Sequence, residues 1–269
     1  MAEQPATGPS PAHSADRRRA ADAIDAAGTS EEVWAAWAAR ERRSEAVPPD
    51  GPVLVVAAHP DDEVLGFGGT AGRLAAEGRQ VHVLTVTDGE ASHPGSRVLP
   101  PPELARVRRG ELAEALDVLG LGSASRHRMG IADTRVDEAE DLVAARVEEL
   151  VRQTGAGLCV APWSGDLHAD HEATGRAAGK AAATAAVPLW EYPVWMWHWA
   201  APGDARVPWD RLRRLPLTTE LLSRKKAAVR CFRTQIAPLA DHPGVVLPPD
   251  ELDHHQRLFE AVFVEGDTA

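Results

Sequence analysis

VLVVAAHPDDEVLGFGGT spans Val53 to Thr70. Its opening run, Val53–Ala57, is wholly apolar and mostly β-branched, the pattern of a strand buried on both faces of a parallel sheet. The pattern breaks at His59. His59-Pro60-Asp61-Asp62-Glu63 sets an imidazole and three carboxyl groups where the apolar run has just ended. Gly66–Ala76 then reads as a helix closed by Gly78. Strand, polar turn and helix are the first two-thirds of a βαβ unit.

The theme repeats downstream. Gln80–Thr87 reads as a strand and Ser92–Pro102 as a loop. Leu104, Val107, Leu112, Ala115, Leu116 and Leu119 recur at helical spacing up to Gly120. Arg126–Gly130 reads as a short strand, and Asp137–Thr154 as a helix with Leu142, Val147, Leu150 and Val151 inward. Gly157–Pro162 is a further buried strand, His171–Ala186 an Ala-rich helix and Val187–Val194 another strand. Thr218–Gln235 reads as a helix and Ala261–Glu265 as an edge strand. Strands alternating with helices predict an α/β fold with a mostly parallel sheet and helices on both faces. Residues 1–28, rich in Ala, Pro, Ser and Asp, are expected to be a disordered tail. Residues 29–269 read as a single domain. Its N-terminal addition is a helix over 29–44, opened by a Thr29–Glu32 capping box and striped by Val33, Trp34 and Trp37.

Bulk properties bound the function. A chain of 269 residues that is 44% hydrophobic can bury a sizeable core. A net charge of −11 argues against nucleic acid and against an anionic membrane surface as partners. The basic residues are nearly all Arg and Asn is absent, as expected of a GC-rich genome, so a single Arg is weaker evidence of function than usual. Cys159 and Cys231 read as buried free thiols. The N-terminal stretch has no apolar h-region, and no segment is apolar for long enough to span a membrane. A cytoplasmic protein is the expectation.

Ligands of an open parallel sheet bind beyond the carboxyl ends of its strands. Two polar clusters fall there: His59 to Glu63, and Asp166-Leu167-His168-Ala169-Asp170-His171 after Gly157–Pro162. Either cluster alone also suits an acid-capped helix start. Both at matching strand ends favour a metal site. Zinc takes imidazole and carboxylate ligands, and a catalytic site keeps one position open. Magnesium is a rival, but two imidazoles favour a transition metal. His59, Asp62 and His171 make a ligand set for one Zn2+. Asp61 is then free to take a proton from water, and His168 to serve a leaving group or an oxyanion. Asp170 is placed to fix a histidine tautomer.

These residues resemble the LmbE-like (PIG-L) zinc deacetylase family. The matching stretches are AHPDDE (58–63), TDGE (87–90), RRGE with ALDVLG (108–111 and 115–120) and HADH (168–171), in family order. EYPVW and KKAAVRCFRTQ also look familial but are less diagnostic. The resemblance implies a Rossmann-like fold and hydrolysis of an N-acyl group, usually acetyl from an amino sugar. It assigns zinc to His59, Asp62 and His171, the base to Asp61, the acid or oxyanion role to His168 and its support to Asp170. It matches Arg108 to a sugar-contacting Arg and Asp133 to a sugar-hydroxyl acceptor. Two departures set the chain apart from the mycothiol-pathway deacetylases. Asp166 stands where those have a Tyr that helps the oxyanion, and His93 replaces a carboxylate in the loop after TDGE. The mycothiol precursor is therefore not the preferred substrate.

The run from Trp190 to Trp199 raises a separate expectation. Alternation puts Trp195, Trp197 and Trp199 on one face of an extended segment, where aromatic rings would stack on a sugar or line an acyl pocket. Trp195 is the substrate-binding residue expected from this segment. Whether His198 faces the site stays open, and it is not counted among the site residues; the pair His254-His255 reads as solvated helix residues. The leading reading is a metal-dependent amidase acting on a small N-acyl amino sugar or glycoside. Cleavage of another N-acyl metabolite, such as a thiol conjugate, stays open. So does a non-catalytic sugar-binding α/β protein, although a structural zinc normally has four protein ligands.

Overall fold

The computed structural model describes residues 24, 26–41 and 43–265. The expected tail over 1–28 lies outside these, apart from residues 24 and 26–28. Strands β1 (Val53–Ala57), β2 (Val81–Thr87), β3 (Ser125–Ile131), β4 (Leu158–Pro162), β5 (Leu189–Tyr192), β6 (Leu212–Pro216) and β7 (Phe259–Val264) form one sheet. Their order is β3-β2-β1-β4-β5-β7-β6. The first five are parallel, and β7 runs antiparallel between β5 and β6. The helices are α1 (Glu31–Arg40), α2 (Asp62–Ala76), α3 (Pro101–Val118), α4 (Glu140–Thr154), α5 (Ala169–Ala185), α6 (Met196–Trp199), α7 (Thr219–Val229), α8 (Arg233–Ile236) and α9 (Pro249–His254).

Strand β1 explains the two-sided layering. Val53 and Val55 face a core built with Leu65, Phe67 and Leu74 of α2, Leu112 and Leu116 of α3 and Val229 of α7. Leu54 and Val56 face the opposite core, with Val147 and Leu150 of α4 and Ala173, Ala177 and Ala181 of α5. Successive side chains of a strand point to opposite faces, so an all-apolar strand requires helices on both. Each such side chain is worth about 1.5–3 kcal/mol on burial. The chain leaves β1 toward β2 on one side and later returns through β4 on the other. The strand order therefore reverses between β1 and β4, where a crevice opens.

Several expectations need correction. Helix α2 begins at Asp62 and α5 at Ala169, earlier than expected, because their acidic residues sit in the first helical turns. The helix expected over 137–154 starts with a 3-10 turn, Val136–Ala139. Leu142 is 61% exposed and Val143 takes the inward position. The 218–235 helix is broken between α7 and α8. Strand β7 is interior, and β6, which the sequence reading missed, forms the edge beyond it. The capping box is not formed. Ser30 is the N-cap without a side-chain bond, and the Thr29 hydroxyl donates to Ala200 O at 2.6 Å. Cys159 and Cys231 are buried free thiols, as expected. No described helix is long and apolar enough to cross a membrane.

Residue Trp34 seats α1 on the fold. Its indole N–H donates to Trp197 O at 2.6 Å, and its ring meets Trp197 edge-on, with centroids 5.1 Å apart. Glu31 pairs with His254 at 2.9 Å and with Arg257 at 2.5 Å. His254 and His255 are thus buried rather than solvated. Glu251 lies 3.0 Å from His198 and 3.6 Å from His255. Burial alone would raise the Glu251 carboxyl, but the His198 hydrogen bond and the neighbouring His255 outweigh it and hold the group down at about 2. The two partners differ: His198 is raised by this bond, whereas burial keeps His255 low. We therefore take His198 as the main cationic partner.

A carboxyl depressed on folding stabilises above its unfolded value near 4.5 and loses that contribution as pH falls toward 2. Between pH 5 and 2 the wild type is expected to lose about 3 kcal/mol more than Glu251→Gln. Urea unfolding of both proteins across that range measures the difference. Parallel curves would show that Glu251 is not so coupled.

Candidate metal and catalytic site

The turn after β1 is sharp. Asp61 adopts φ 130°, a conformation L residues rarely take, and its carbonyl accepts the Val64 and Leu65 amides at 2.9 and 2.8 Å. Asp62 opens α2 and turns back so that Oδ2 accepts the His59 amide at 2.8 Å. Backbone strain of this kind costs of order 1–3 kcal/mol and collects at functional sites. The second cluster follows β4, the neighbour of β1, so both clusters meet in the crevice.

The hydrogen bonds decide which nitrogens remain for a metal. His59 Nε2 is committed to Asp133 Oδ1 at 3.1 Å and Asp170 Oδ2 at 3.2 Å. Its Nδ1 lies 3.5 Å from Asp62 Oδ2. His171 Nδ1 is committed to Asp166 Oδ2 at 2.8 Å, and its Nε2 lies 3.2 Å from Asp62 Oδ1. The two remaining nitrogens thus approach one carboxylate from its two oxygens. His59 also groups with His168 and His171, and with Asp133 and Asp170, each set having donor atoms within 4.8 Å of one another. The second of these uses the nitrogen already engaged, and the first omits the carboxylate that both other histidines face. The set His59, Asp62 and His171 fits best.

The electrostatics call for a cation. Burial should lower both histidines. Instead, hydrogen bonds to Asp133, Asp170 and Asp62 raise His59 well above its usual value, and the Asp62 charge with the Asp166 bond raises His171 to about 9. Asp62 would be raised by burial, but His171 and His59 hold it well below the carboxylate range. Two extra protons thus balance the carboxylates. A divalent ion in their place supplies the same charge at a point that three donors already face, so the residues fit a metal.

Asp61 is different. Burial raises it, the Arg108 charge opposes, Asp62 adds repulsion, and the outcome is about 7. Glu63, beneath it, is pushed by burial to about 8. His168 is pushed by burial and by the charges of His171 and His59 down to about 3. Its Nδ1 is buried with no hydrogen-bond partner among the described residues.

One cavity of about 200 Å³ is lined by His59, Asp61, Asp62, His168 and His171, together with Arg108, Asp133 and Trp195. Asp170 lies behind it, fully buried, accepting the Thr134 amide at 2.7 Å and the Val136 amide at 3.2 Å. Arg108 is buried and spans three acceptors: Gly89 O at 2.8 Å, Pro60 O at 2.7 Å and Asp61 Oδ2 at 3.0 Å. A Cβ on Gly89 would lie 1.6 Å from its Nη1, which explains the glycine of TDGE. Asp133 Oδ2 accepts the Ala91 amide at 2.8 Å, and Glu90 Oε1 accepts the Asp133 amide at 3.0 Å. Both Arg108 and Asp133 thus brace the site while bordering the cavity.

The aromatic run does not alternate as expected. After Tyr192 the chain turns into α6, so Trp197 enters a separate core with Trp34, while Trp195 borders the cavity. The sequence reading noted Asp166 only as a departure at an oxyanion position and did not see that it partners His171. It also missed Gln235, at the end of KKAAVRCFRTQ, which lines the cavity although 1% exposed. An apolar stretch of the wall is formed by Leu65, Val194, Val246 and Leu247.

Comparisons with known proteins bear on the family and the fold. The family model described as GlcNAc-PI de-N-acetylase (PIG-L) matches residues 54–182. A 1D-myo-inositol 2-acetamido-2-deoxy-alpha-D-glucopyranoside deacetylase of Streptomyces avermitilis is 34% identical, covering 74% of each chain. A like-named deacetylase of Saccharopolyspora erythraea is 31% identical over 78% of this chain and 80% of its own. Among solved structures, the A40926 pseudoaglycone deacetylase superposes with a TM-score of 0.62 at 25% identity, covering 80% of this chain and 97% of that one.

Proposed function

The chain belongs to the PIG-L family of de-N-acetylases, and from that premise we propose that it is a zinc-dependent hydrolase. It removes an N-acyl group, acetyl first, from an amino sugar or small glycoside. The observation that carries this reading is the pair of uncommitted nitrogens, His59 Nδ1 and His171 Nε2, facing the two oxygens of Asp62, with Asp61 beside them. When bound, zinc supplies Lewis acidity toward a carbonyl oxygen and makes water more acidic. His59, Asp62 and His171 hold it.

Asp61 takes the proton of the attacking water and passes it to the departing amine. Burial raises its carboxyl against the Arg108 charge, which strengthens it as a base, while a bound cation nearby keeps it ionised at neutral pH. His168, kept neutral, donates a hydrogen bond to the developing oxyanion rather than carrying a spare proton. Arg108 holds Asp61 in place, and Trp195 with Val194 and Leu247 forms the apolar wall for the acyl group or the sugar face.

The test is zinc content together with amine release from a panel of N-acetyl amino sugars and their glycosides. About one zinc per chain is expected, with activity lost on chelation and restored by zinc. A purified protein that takes up no metal even from added zinc would end this reading.

A further inference from the structure

Residue Asp166 is fully buried, and its carboxylate gathers four donors. Oδ2 lies 2.8 Å from His171 Nδ1 and accepts the Trp195 amide at 2.9 Å. Oδ1 accepts the Met196 amide at 2.9 Å and the Val194 amide at 3.1 Å. Its main-chain carbonyl accepts the Trp199 indole N–H at 3.0 Å. The three amides are consecutive. They follow the end of β5 at Tyr192 and lead into α6, where neither a strand ladder nor a preceding helical turn can satisfy them. Val194 and Trp195 border the cavity.

One side chain therefore touches two things that sequence keeps apart. It holds His171 with Nδ1 as a donor, so that Nε2 is the nitrogen turned toward Asp62. It also holds the backbone of the apolar wall. A neutral residue of the same size could not accept from all four donors, since an amide offers one oxygen where the carboxylate offers two. Any pull on His171 Nε2 acts on Asp166 through a short charge-assisted bond, and through it on three amides of the wall.

We infer that Asp166 is a positioning residue that couples metal occupancy at His171 to the order of the Val194–Met196 wall. The coupling runs both ways, as binding linkage requires: an ordered wall strengthens metal binding, and metal orders the surface that receives the substrate. The inference rests on the metal assignment made above.

The experiment uses the full chain labelled with 5-fluorotryptophan, with the Trp195 resonance identified by its absence in Trp195→Phe. Fluorine NMR is recorded during zinc titration, and zinc affinity is measured by chelator competition. In the wild type the Trp195 resonance is expected to shift and narrow as one equivalent binds. Asp166→Asn is expected to bind zinc about 10–100-fold more weakly and to keep a broad or split Trp195 resonance at saturating zinc. A variant affinity within about twofold of wild type, or a narrow Trp195 resonance in the zinc-saturated variant, would overturn the inference. The wild-type titration needs no variant to fold. Zinc binding without a Trp195 response overturns the coupling alone, whereas absence of zinc binding overturns the metal assignment with it.

Discussion

Asp61→Asn is expected to lower kcat by about a thousandfold while zinc content stays at that of the wild type. Asp61 is not among the three residues that converge on the metal. Its carboxylate stands beside them, held by Arg108 at 3.0 Å. Asn is the right replacement because it keeps the shape and is among the few L residues that tolerate positive φ, whereas Ala would add strain at φ 130°. The variant also loses the acid limb of the wild-type pH profile. Wild-type activity is expected to rise with pH as Asp61 loses its proton, with a bound cation moving that limb below the value of about 7 that holds without metal.

The same substitution has an opposite effect on stability. A carboxyl raised on folding binds its proton more tightly in the native state, so native stability falls as pH rises from about 4 to 7. Without metal at pH 8, Asp61→Asn is therefore expected to melt above the wild type. An enzyme that trades stability for a poised base shows this pairing. Retained activity, or loss of zinc along with activity, would remove Asp61 from the role of base.

Glu260→Ala is expected to cost about 3–5 kcal/mol, lowering the melting temperature by roughly 10 °C. Glu260 and Lys225 form a buried pair at 2.7 Å, with side chains 1% and 2% exposed. The pair inserts into the hydrogen-bond ladder of α2. Glu260 accepts the Gly69 and Thr70 amides at 2.8 Å each, and Lys225 donates to Leu65 O at 2.6 Å. Removing the carboxylate leaves a buried ammonium and two helix amides unmatched. Lys225→Met combined with Glu260→Gln removes both charges while keeping an acceptor, and is expected to recover part of the loss. Equal destabilisation by the single and double changes would show that the charge pair is not the cause.

Much of the site was legible because its chemistry is local. His59, Asp61 and Asp62 lie within one turn, and His168 and His171 within another, so strand-end logic and residue type brought them together. The parallel core was legible because Val53–Ala57 and Leu158–Pro162 are apolar throughout. What failed depended on the unseen third dimension. Trp195 to Trp199 looked like a strand, but Asp166 supplies acceptors that let the chain coil there. His254 and His255 looked solvated because their partners, Glu31 and Glu251, lie in part on another helix. Leu142 and Val143 are one residue apart, and a 3-10 start to the helix decides which faces inward. Strand β6 alternates too weakly to be seen, and it is fixed by pairing with β7.

That pairing bears on how the chain is made. Synthesis runs from the N-terminus, and domains begin to fold as they emerge. Strands β1 to β5 can assemble from sequence neighbours joined by crossover helices. Strand β7, however, must slide between two strands translated earlier, β5 and β6. Until residues 259–264 leave the ribosome, β5 shows a bare edge, β6 lacks its strand partner, and Lys225 waits for Glu260. At that stage the β5 edge would be open to pairing with another chain, so the arrival of β7 is the step at which folding competes with association.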